Sequence, residues 1–271
     1  MALAAIEPPK QCGAADARQA PARWLCPEPA LVRSSHARCP TNAECDGLQT
    51  NNTWTTRLKS GVPSPYVTYT GATINYINYT LCHGNGLSDP IQSSSSAWIS
   101  VEGPGSSDIV QIGVIKCNSI ASVCGNNMDE DQVDWFYAWG VDGDPFKQPW
   151  ANRIGLADGY THRYTVYLSS GSWIFSIDGT TKKTLSDSWR SWHAVRSEEA
   201  VEIHNEGDQL GGTSSNKQTF RGAVYKIGSS GTLYSDYGNV FKSGHCYPWV
   251  NWTQLSYADY DVWTNNSHGD C

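Results

Sequence analysis

The feature that most constrains this chain is a succession of short β-prone runs, broken by turn residues, over residues 66 to 226. The runs are Tyr66–Tyr69, Ala72–Thr80, Ala97–Val101, Ile109–Lys116, Val133–Trp139, His162–Leu168, Trp173–Ile177, Ala200–His204 and Gly222–Lys226. Val, Ile, Thr and aromatic residues recur in them, and these side chains fit a pleated, half-buried surface. Asp178-Gly179 stands between Trp173–Ile177 and Lys182–Leu185. Such a pair supplies the positive φ angles that a tight hairpin turn needs. Apolar residues at helical spacing are almost absent. Many short strands with frequent turns predict an all-β fold of two packed antiparallel sheets.

Composition narrows what such a domain can do. Charged residues are 17% of the chain, against roughly 25% in an ordinary soluble domain. With Lys+Arg at 19 and Asp+Glu at 26 the formal net charge is -7, a poor balance for holding a nucleic acid. No apolar run approaches the roughly 18 residues of a membrane helix. Neither nucleic acid nor membrane is an expected partner, and the chain is expected to be a monomer. Heptads of a coiled coil are missing, while 39% hydrophobic and 11% aromatic residues are enough to build a core rather than a disordered chain. Residues 1–45, rich in Ala, Pro, Arg and Cys and without alternation, read as an irregular N-terminal segment: a pro-segment, a linker or an appendage. Residues 46–271 read as the sandwich domain, with a disulfide-linked C-terminal extension from about residue 229.

None of the 9 cysteines forms a C-x-x-C pair. The spacings Cys39 to Cys45, Cys117 to Cys124 and Cys246 to Cys271 suit small disulfide loops, the usage of a secreted protein. The odd count leaves one thiol over, with Cys12, Cys26 and Cys82 the open choices. N-x-S/T triplets at Asn51, Asn78, Asn251 and Asn265 agree with export. The start, MALAAIEPPK, is not a recognisable signal peptide. The 7 histidines show no H-E-x-x-H or H-x-H spacing, so no metal and no cofactor is expected. The acidic run Asp129-Glu130-Asp131 with Asp134 lacks the frame of a calcium loop. No G-x-S-x-G elbow marks a serine nucleophile.

Side chains alternate faces along a strand, so parity sorts the candidates for a site. Val110, Ile112 and Val114 share a face, with Gln111 opposite. Val201 and Ile203 share a face, with Ala200, Glu202 and His204 opposite. Ala97, Ile99 and Val101 share a face, with Trp98 opposite. Trp135, Tyr137 and Trp139 form one stripe of Val133–Trp139, opposite Phe136 and Ala138. Placing the aliphatic faces in the core puts Gln111, Glu202 and Trp98 on a second surface. The stripe Trp135, Tyr137 and Trp139 is expected there too, as an aromatic wall. His204, on the face of Glu202, is expected to tune its carboxylate.

The run Tyr164–Leu185 resembles the hairpins of concanavalin-like jelly-roll sandwiches. Four further segments follow in order: Ser96-Ala97-Trp98-Ile99, Ile109-Val110-Gln111-Ile112-Gly113, Asp134-Trp135-Phe136-Tyr137-Ala138-Trp139, and Ser197 to Glu202. Together they resemble the glutamic peptidases, or eqolisins, whose W-V-G-I-D-G, L-Q-T-G, W-Y-E-W and A-E-W-I-V-E segments come in that order. The resemblance covers about residues 70 to 228. It implies a secreted concanavalin-like sandwich that cleaves polypeptides in acid, with Gln111 and Glu202 as the catalytic pair. It also implies a substrate groove at Trp98, Trp135, Tyr137 and Trp139. The chain departs from the pattern at Ala138, where the family has Glu, and at Glu199, where it has Trp. Those departures favour an alternative, a non-catalytic module binding a glycan or a surface partner. A jelly-roll glycoside hydrolase is a second alternative, with carboxylates drawn from Glu102, Glu198, Glu199, Glu202 and Glu206.

Overall fold

The computed structural model describes residues 50–59, 66–78, 94–105, 107–117, 132–147, 151–157, 161–190, 192–205, 214–229, 231–235, 237–238, 241–244 and 250–264. They form fourteen strands: β1 (Thr50–Lys59), β2 (Val67–Asn75), β3 (Ser94–Glu102), β4 (Ile109–Cys117), β5 (Val133–Gly140), β6 (Asn152–Leu156), β7 (Thr161–Ser169), β8 (Ser172–Ile177), β9 (Thr180–Ser186), β10 (Arg196–Asn205), β11 (Gln218–Ile227), β12 (Phe241–Gly244), β13 (Val250–Gln254) and β14 (Tyr260–Thr264). One 3-10 turn, Asp187–Trp189, follows β9. The strands make two antiparallel 7-stranded sheets, ordered β12-β1-β10-β3-β4-β5-β6 and β13-β14-β11-β2-β7-β8-β9. The fold is therefore the two-sheet antiparallel sandwich that the recurrent short runs predict.

Alternation explains how the sheets pack. Ala97, Ile99, Val101, Val110, Ile112, Val114 and Val201 of the first sheet meet Ala72, Ile74, Tyr164, Val166, Trp173, Phe175 and Phe220 of the second in one buried cluster. Burying one Val, Ile or Phe contributes about 1.5–3 kcal/mol, so this layer supplies most of the force that holds the sheets together. It is not purely apolar. Ser197 Oγ donates to Thr70 Oγ1 at 2.8 Å and lies 2.7 Å from Tyr237 OH, so these buried hydroxyls satisfy one another between the sheets.

The two predicted runs Tyr66–Tyr69 and Ala72–Thr80 are one strand, β2. Thr70 and Gly71 stay extended between them and pair with Val166 and Thr165 of β7. The stretch beyond about residue 229, expected as an extension, supplies β12 to one sheet and β13 and β14 to the other. Cys117, at the end of β4, is disulfide-bonded. The other eight cysteines, residues 1–49 and the acidic run 129–131 lie outside the described residues.

Two tight turns fix the hairpins β7–β8 and β8–β9. Ser170 and Gly171 have φ 48° and 72°, and Asp178 and Gly179 have φ 50° and 76°. Paired positive φ values are the twist-matched hairpin geometry that Asp-Gly favours. Asp178 also accepts a hydrogen bond from Arg163 N at 2.8 Å and lies 2.6 Å from His162 Nδ1. Partial burial pushes its carboxyl up. The hydrogen bonds from His162 and Arg163 N–H, with the charges of His162 and Lys182, outweigh that and hold it below its ordinary value.

A depressed folded-state value means the interaction stabilises the fold above the unfolded carboxyl range of about 3.9 and is lost as pH falls through the folded value. Asp178→Asn keeps the tolerance for positive φ but removes the charge. We expect it to cost about 0.5 kcal/mol at pH 7, the scale of a half-exposed pair. The difference from wild type should vanish near pH 2 in urea unfolding curves.

Candidate active site

The central strands β10, β3, β4 and β5 carry the site on the face turned away from the other sheet. Their register arranges that face in four cross-strand rows. One row is Arg196, Glu102, Ile109 and Gly140. The next is Glu198, Ser100, Gln111 and Ala138. The third is Ala200, Trp98, Gly113 and Phe136. The fourth is Glu202, Ser96, Ile115 and Asp134. Trp98, Ile109, Ile115, Phe136, Ala138 and Ala200 form a second buried cluster here, joined by Ala151. Every residue of β3 is buried, on both faces. Polar groups on this face are thus set among apolar neighbours, where each hydrogen bond counts for more than in water.

Gln111, Glu202 and Trp98 share this face, as parity predicts, and Gln111 and Glu202 are both partly exposed. They are not side by side. Glu202 lies in the row of Ser96 and Gln111 in the row of Ser100. On a flat sheet, two strand spacings and four residue rises separate their Cα atoms by about 16 Å. Trp98 occupies the midpoint of that diagonal, and its indole Nε1 donates to Glu202 Oε2 at 3.3 Å. The carboxylate is therefore turned inward, toward Trp98.

The aromatic stripe is a correction to the sequence reading. β5 pairs with β4 so that Ala138 faces Gln111 and Phe136 faces Gly113, while Trp135, Tyr137 and Trp139 pair with Val114, Ile112 and Val110. The stripe belongs to the inter-sheet side. Trp135 is buried in the core cluster, with Lys182 Nζ 4.7 Å from its ring centre. Tyr137 meets Phe175 with ring centres 5.2 Å apart, and Trp139 meets Trp189 at 4.6 Å. The physical reason is volume: the gap between two sheets takes large rings, and small Ala138 and Gly140 are left to line the site. None of these three rings walls the cleft. His204 continues β10, but its side chain lies outside the described residues.

The sequence offered Glu102 only as one of several glycosidase carboxylates and did not join it to Ser100 and Arg196, the polar group beside Gln111. Ser100 Oγ donates to Glu102 Oε1 at 2.9 Å, and Arg196 Nε lies 3.5 Å from Glu102 Oε2. Arg196 also donates to the Gly103 carbonyl at 2.5 Å. Glu102 and Arg196 are 0% and 3% exposed, so each charge depends on the other for compensation. At the opposite corner Arg153 Nε donates to Asp134 Oδ1 at 2.9 Å. The available signal was parity: Trp98, Ser100 and Glu102 alternate along β3, as Arg196, Glu198, Ala200 and Glu202 do along β10. Glu199, the departure from the family pattern, points into the core and is fully buried there. It changes the inter-sheet layer rather than the site.

These features define a class: a two-sheet antiparallel sandwich with a Glu, a Gln and a Trp on the outer face of one sheet. The same fold is found in solved glutamic peptidases. Scytalido-glutamic peptidase with a transition state analog inhibitor superposes with a TM-score of 0.50 at 14% identity, over 80% of this chain and 99% of that one. SCP-B, a member of the eqolisin family of peptidases in complex with the tripeptide Ala-Ile-His, gives 0.49 at 15% identity, over 80% and 99%. A family 16 endo-glucanase from Bacteroides ovatus gives 0.32 at 14% identity, over 55% of this chain and 65% of that one. No family model matches the sequence, and no curated protein matches it.

Gly113 holds the arrangement together. A Cβ there would lie 2.6 Å from Trp98 Cβ and would strike the Ala97 carbonyl. Gly113→Ala is expected to cost about 1–3 kcal/mol through overpacking, read by urea unfolding. It should also disturb Trp98, seen as a changed near-ultraviolet tryptophan signal in the still-folded variant. An unchanged signal and unchanged stability would contradict this packing.

Proposed function

We propose that the chain is an acid-active glutamic-type endopeptidase, secreted, with a polypeptide as its substrate. The reading is carried by the diagonal Glu202–Trp98–Gln111, with the Trp98 N–H drawing the Glu202 carboxylate inward. Gln111 and Glu202 are both partly exposed on either side of Trp98, and a water or a peptide carbonyl placed between them would be in reach of both side chains. In the reaction Glu202 takes a proton from that water, whose oxygen attacks the carbonyl carbon. The Gln111 side-chain N–H donates to the oxyanion of the tetrahedral intermediate. The C–N bond then breaks, and Glu202 returns the proton to the leaving nitrogen.

The base works only when ionised, and the Trp98 N–H favours that form by donating to it. Mildly acidic water is enough. Many protein substrates loosen under the same conditions as their carboxylates become protonated. The disulfide at Cys117 agrees with secretion. The order of the four sequence motifs supports the same reading.

A two-carboxylate glycosidase has less support. It needs a second carboxyl within reach of a sugar, and Glu102, Glu198 and Glu199 are all 1% exposed or less.

The test is digestion of an unfolded protein between pH 3 and 6. Wild type should cleave it and Glu202→Gln should not; equal cleavage by both, or none by either, rejects the mechanism. Gln111→Ala should lower kcat about 10²–10³-fold, the cost of one lost oxyanion donor. Trp98→Phe removes the N–H that favours the carboxylate. Its acid limb should therefore move to higher pH, measured from kcat/KM against pH.

A further inference from the structure

A peptide must be held in register for one of its bonds to meet the base. The third row of the site face offers a means. It does not end at Phe136, because Arg153 of β6 pairs with Phe136. The full row is Ala200, Trp98, Gly113, Phe136 and Arg153. It starts on the strand of Glu202 and passes Trp98, the ring between Glu202 and Gln111. It then crosses Gly113, which has no side chain, and ends on a guanidinium. That guanidinium is anchored from within. Arg153 Nε donates to Asp134 Oδ1 at 2.9 Å, and Asp134 is buried while the Arg153 side chain is 26% exposed. Among the described residues on this face of β10, β3, β4, β5 and β6, the other cation is Arg196. It is buried and turned to Glu102 and the Gly103 carbonyl.

We propose, on the peptidase reading above, that Arg153 is a specificity-determining residue that takes a carboxylate of the substrate, from an acidic side chain or a chain terminus. Trp98 and Arg153 are three strand spacings apart, about 14 Å between Cα atoms. Extended peptide advances about 3.3 Å per residue, so about four residues cover the row. The long arginine side chain shortens that count, which places the carboxylate about two to four residues from the bond cut beside Trp98. A guanidinium carries five N–H donors in a planar fork. Arg153 therefore keeps Asp134 and still turns an exposed edge to solvent, in the shape that suits a carboxylate. A carboxylate arriving from solvent meets the guanidinium before the buried Asp134. The two ends of the row differ in charge. Glu202, beside its start, repels an acidic group, and Arg153, at its end, attracts one. The acidic part of a substrate is thereby drawn toward β6, which orients the peptide across the strands.

The probes are blocked octapeptides of Ala around a central Phe-Phe, with one Asp at the second, third, sixth or seventh position. Their Asn counterparts and one neutral peptide with a free C-terminal carboxyl complete the set. At about pH 5, above the ordinary Asp value of about 3.9, the carboxyl is ionised. Calorimetric titration of Glu202→Gln should give a Kd about ten-fold lower for Asp than for Asn at one of these positions, the scale of a charge-assisted hydrogen bond. A gain with the free carboxyl instead identifies the terminus as the source. Either gain should vanish in Arg153→Gln. That variant leaves Asp134 buried without its arginine, so Arg153→Gln/Asp134→Asn, which removes both charges, is measured beside it and should lose the gain too. Arg153→Lys keeps the charge without the fork and should retain part of it. Equal Kd values for every peptide, or a gain that survives in both Arg153→Gln proteins, overturn the proposal.

Cleavage kinetics then separate a binding role from a structural one. With Glu202 in place, the same preference should appear as a lower KM for the carboxylate peptide at similar kcat. A merely structural Arg153 would slow the Asp and Asn peptides by one factor and leave their ratio as it was, and that result also overturns the proposal. Cleavage by Glu202→Gln as fast as by wild type sinks the peptidase reading instead, while the Kd ratio and its loss without Arg153 stand or fall separately.

Discussion

The site depends on the register between β3 and β4, and that register is pinned where Trp98 meets Gly113. Side chains repeat every two residues, so a one-residue slip would send Trp98, Ser100 and Glu102 into the inter-sheet layer and bring Ile99 and Val101 out. A two-residue slip would keep the faces but set Trp98 against Gln111 or Ile115, where no glycine makes room. The observed register gives the Trp98 backbone its space, and the pairing of β3 with β10 lets the indole reach Glu202. Small-against-large packing across two strands thus decides which polar groups become neighbours four rows deep.

That register carries a cost, because the first sheet is buried on both faces in its middle. Ser96, Ser100, Glu102, Arg196 and Glu198 are all buried. Such groups must find partners or lose several kcal/mol of hydration uncompensated. The hydroxyl of Ser100 and the guanidinium of Arg196 both serve Glu102, which fixes the row next to Gln111. A face built this way is stiffer than an open sheet surface. It fixes the strand positions that carry Gln111 and Glu202.

Much of this was legible in the sequence, and the failures have physical reasons. Strands with aliphatic alternation, β3, β4 and β10, announced their core faces, and Gln111, Glu202 and Trp98 followed by parity. β5 did not, because Val133–Gly140 alternates large rings with Phe136, Ala138 and Gly140. Trp and Tyr suit a core or a wet groove equally well by type. Only pairing with β4 shows that the rings fill the inter-sheet gap. β1, with its run of Thr and Asn, and β6, β12, β13 and β14 escaped the pattern, since strands toward the sheet edges need less apolar surface. The exposed edge strand β9 carries Lys182 and Lys183, which hinder further pairing. The buried polar group at Ser100, Glu102 and Arg196 was hidden for another reason. Charged residues in a strand read as solvated unless their partners on the neighbouring strand are known.

The departures from the glutamic peptidase pattern take on different weights once the faces are known. Glu199 substitutes within the inter-sheet layer, directly opposite Ile99 on one side and Arg57 on the other, and has no position on the Gln111 face. It bears on stability rather than on chemistry. Ala138 is the opposite case. It sits next to Gln111 in the same row, on the side away from Glu198. Where the family carries a carboxyl at that place, this chain has a methyl group, so Gln111 has a polar row-mate on one side only. Its direct neighbours in that row are Ala138 on β5 and Ser100 on β3, both small. Small neighbours on both sides leave the partly exposed Gln111 side chain room to turn, so the Ala138 departure bears on this face where Glu199 does not.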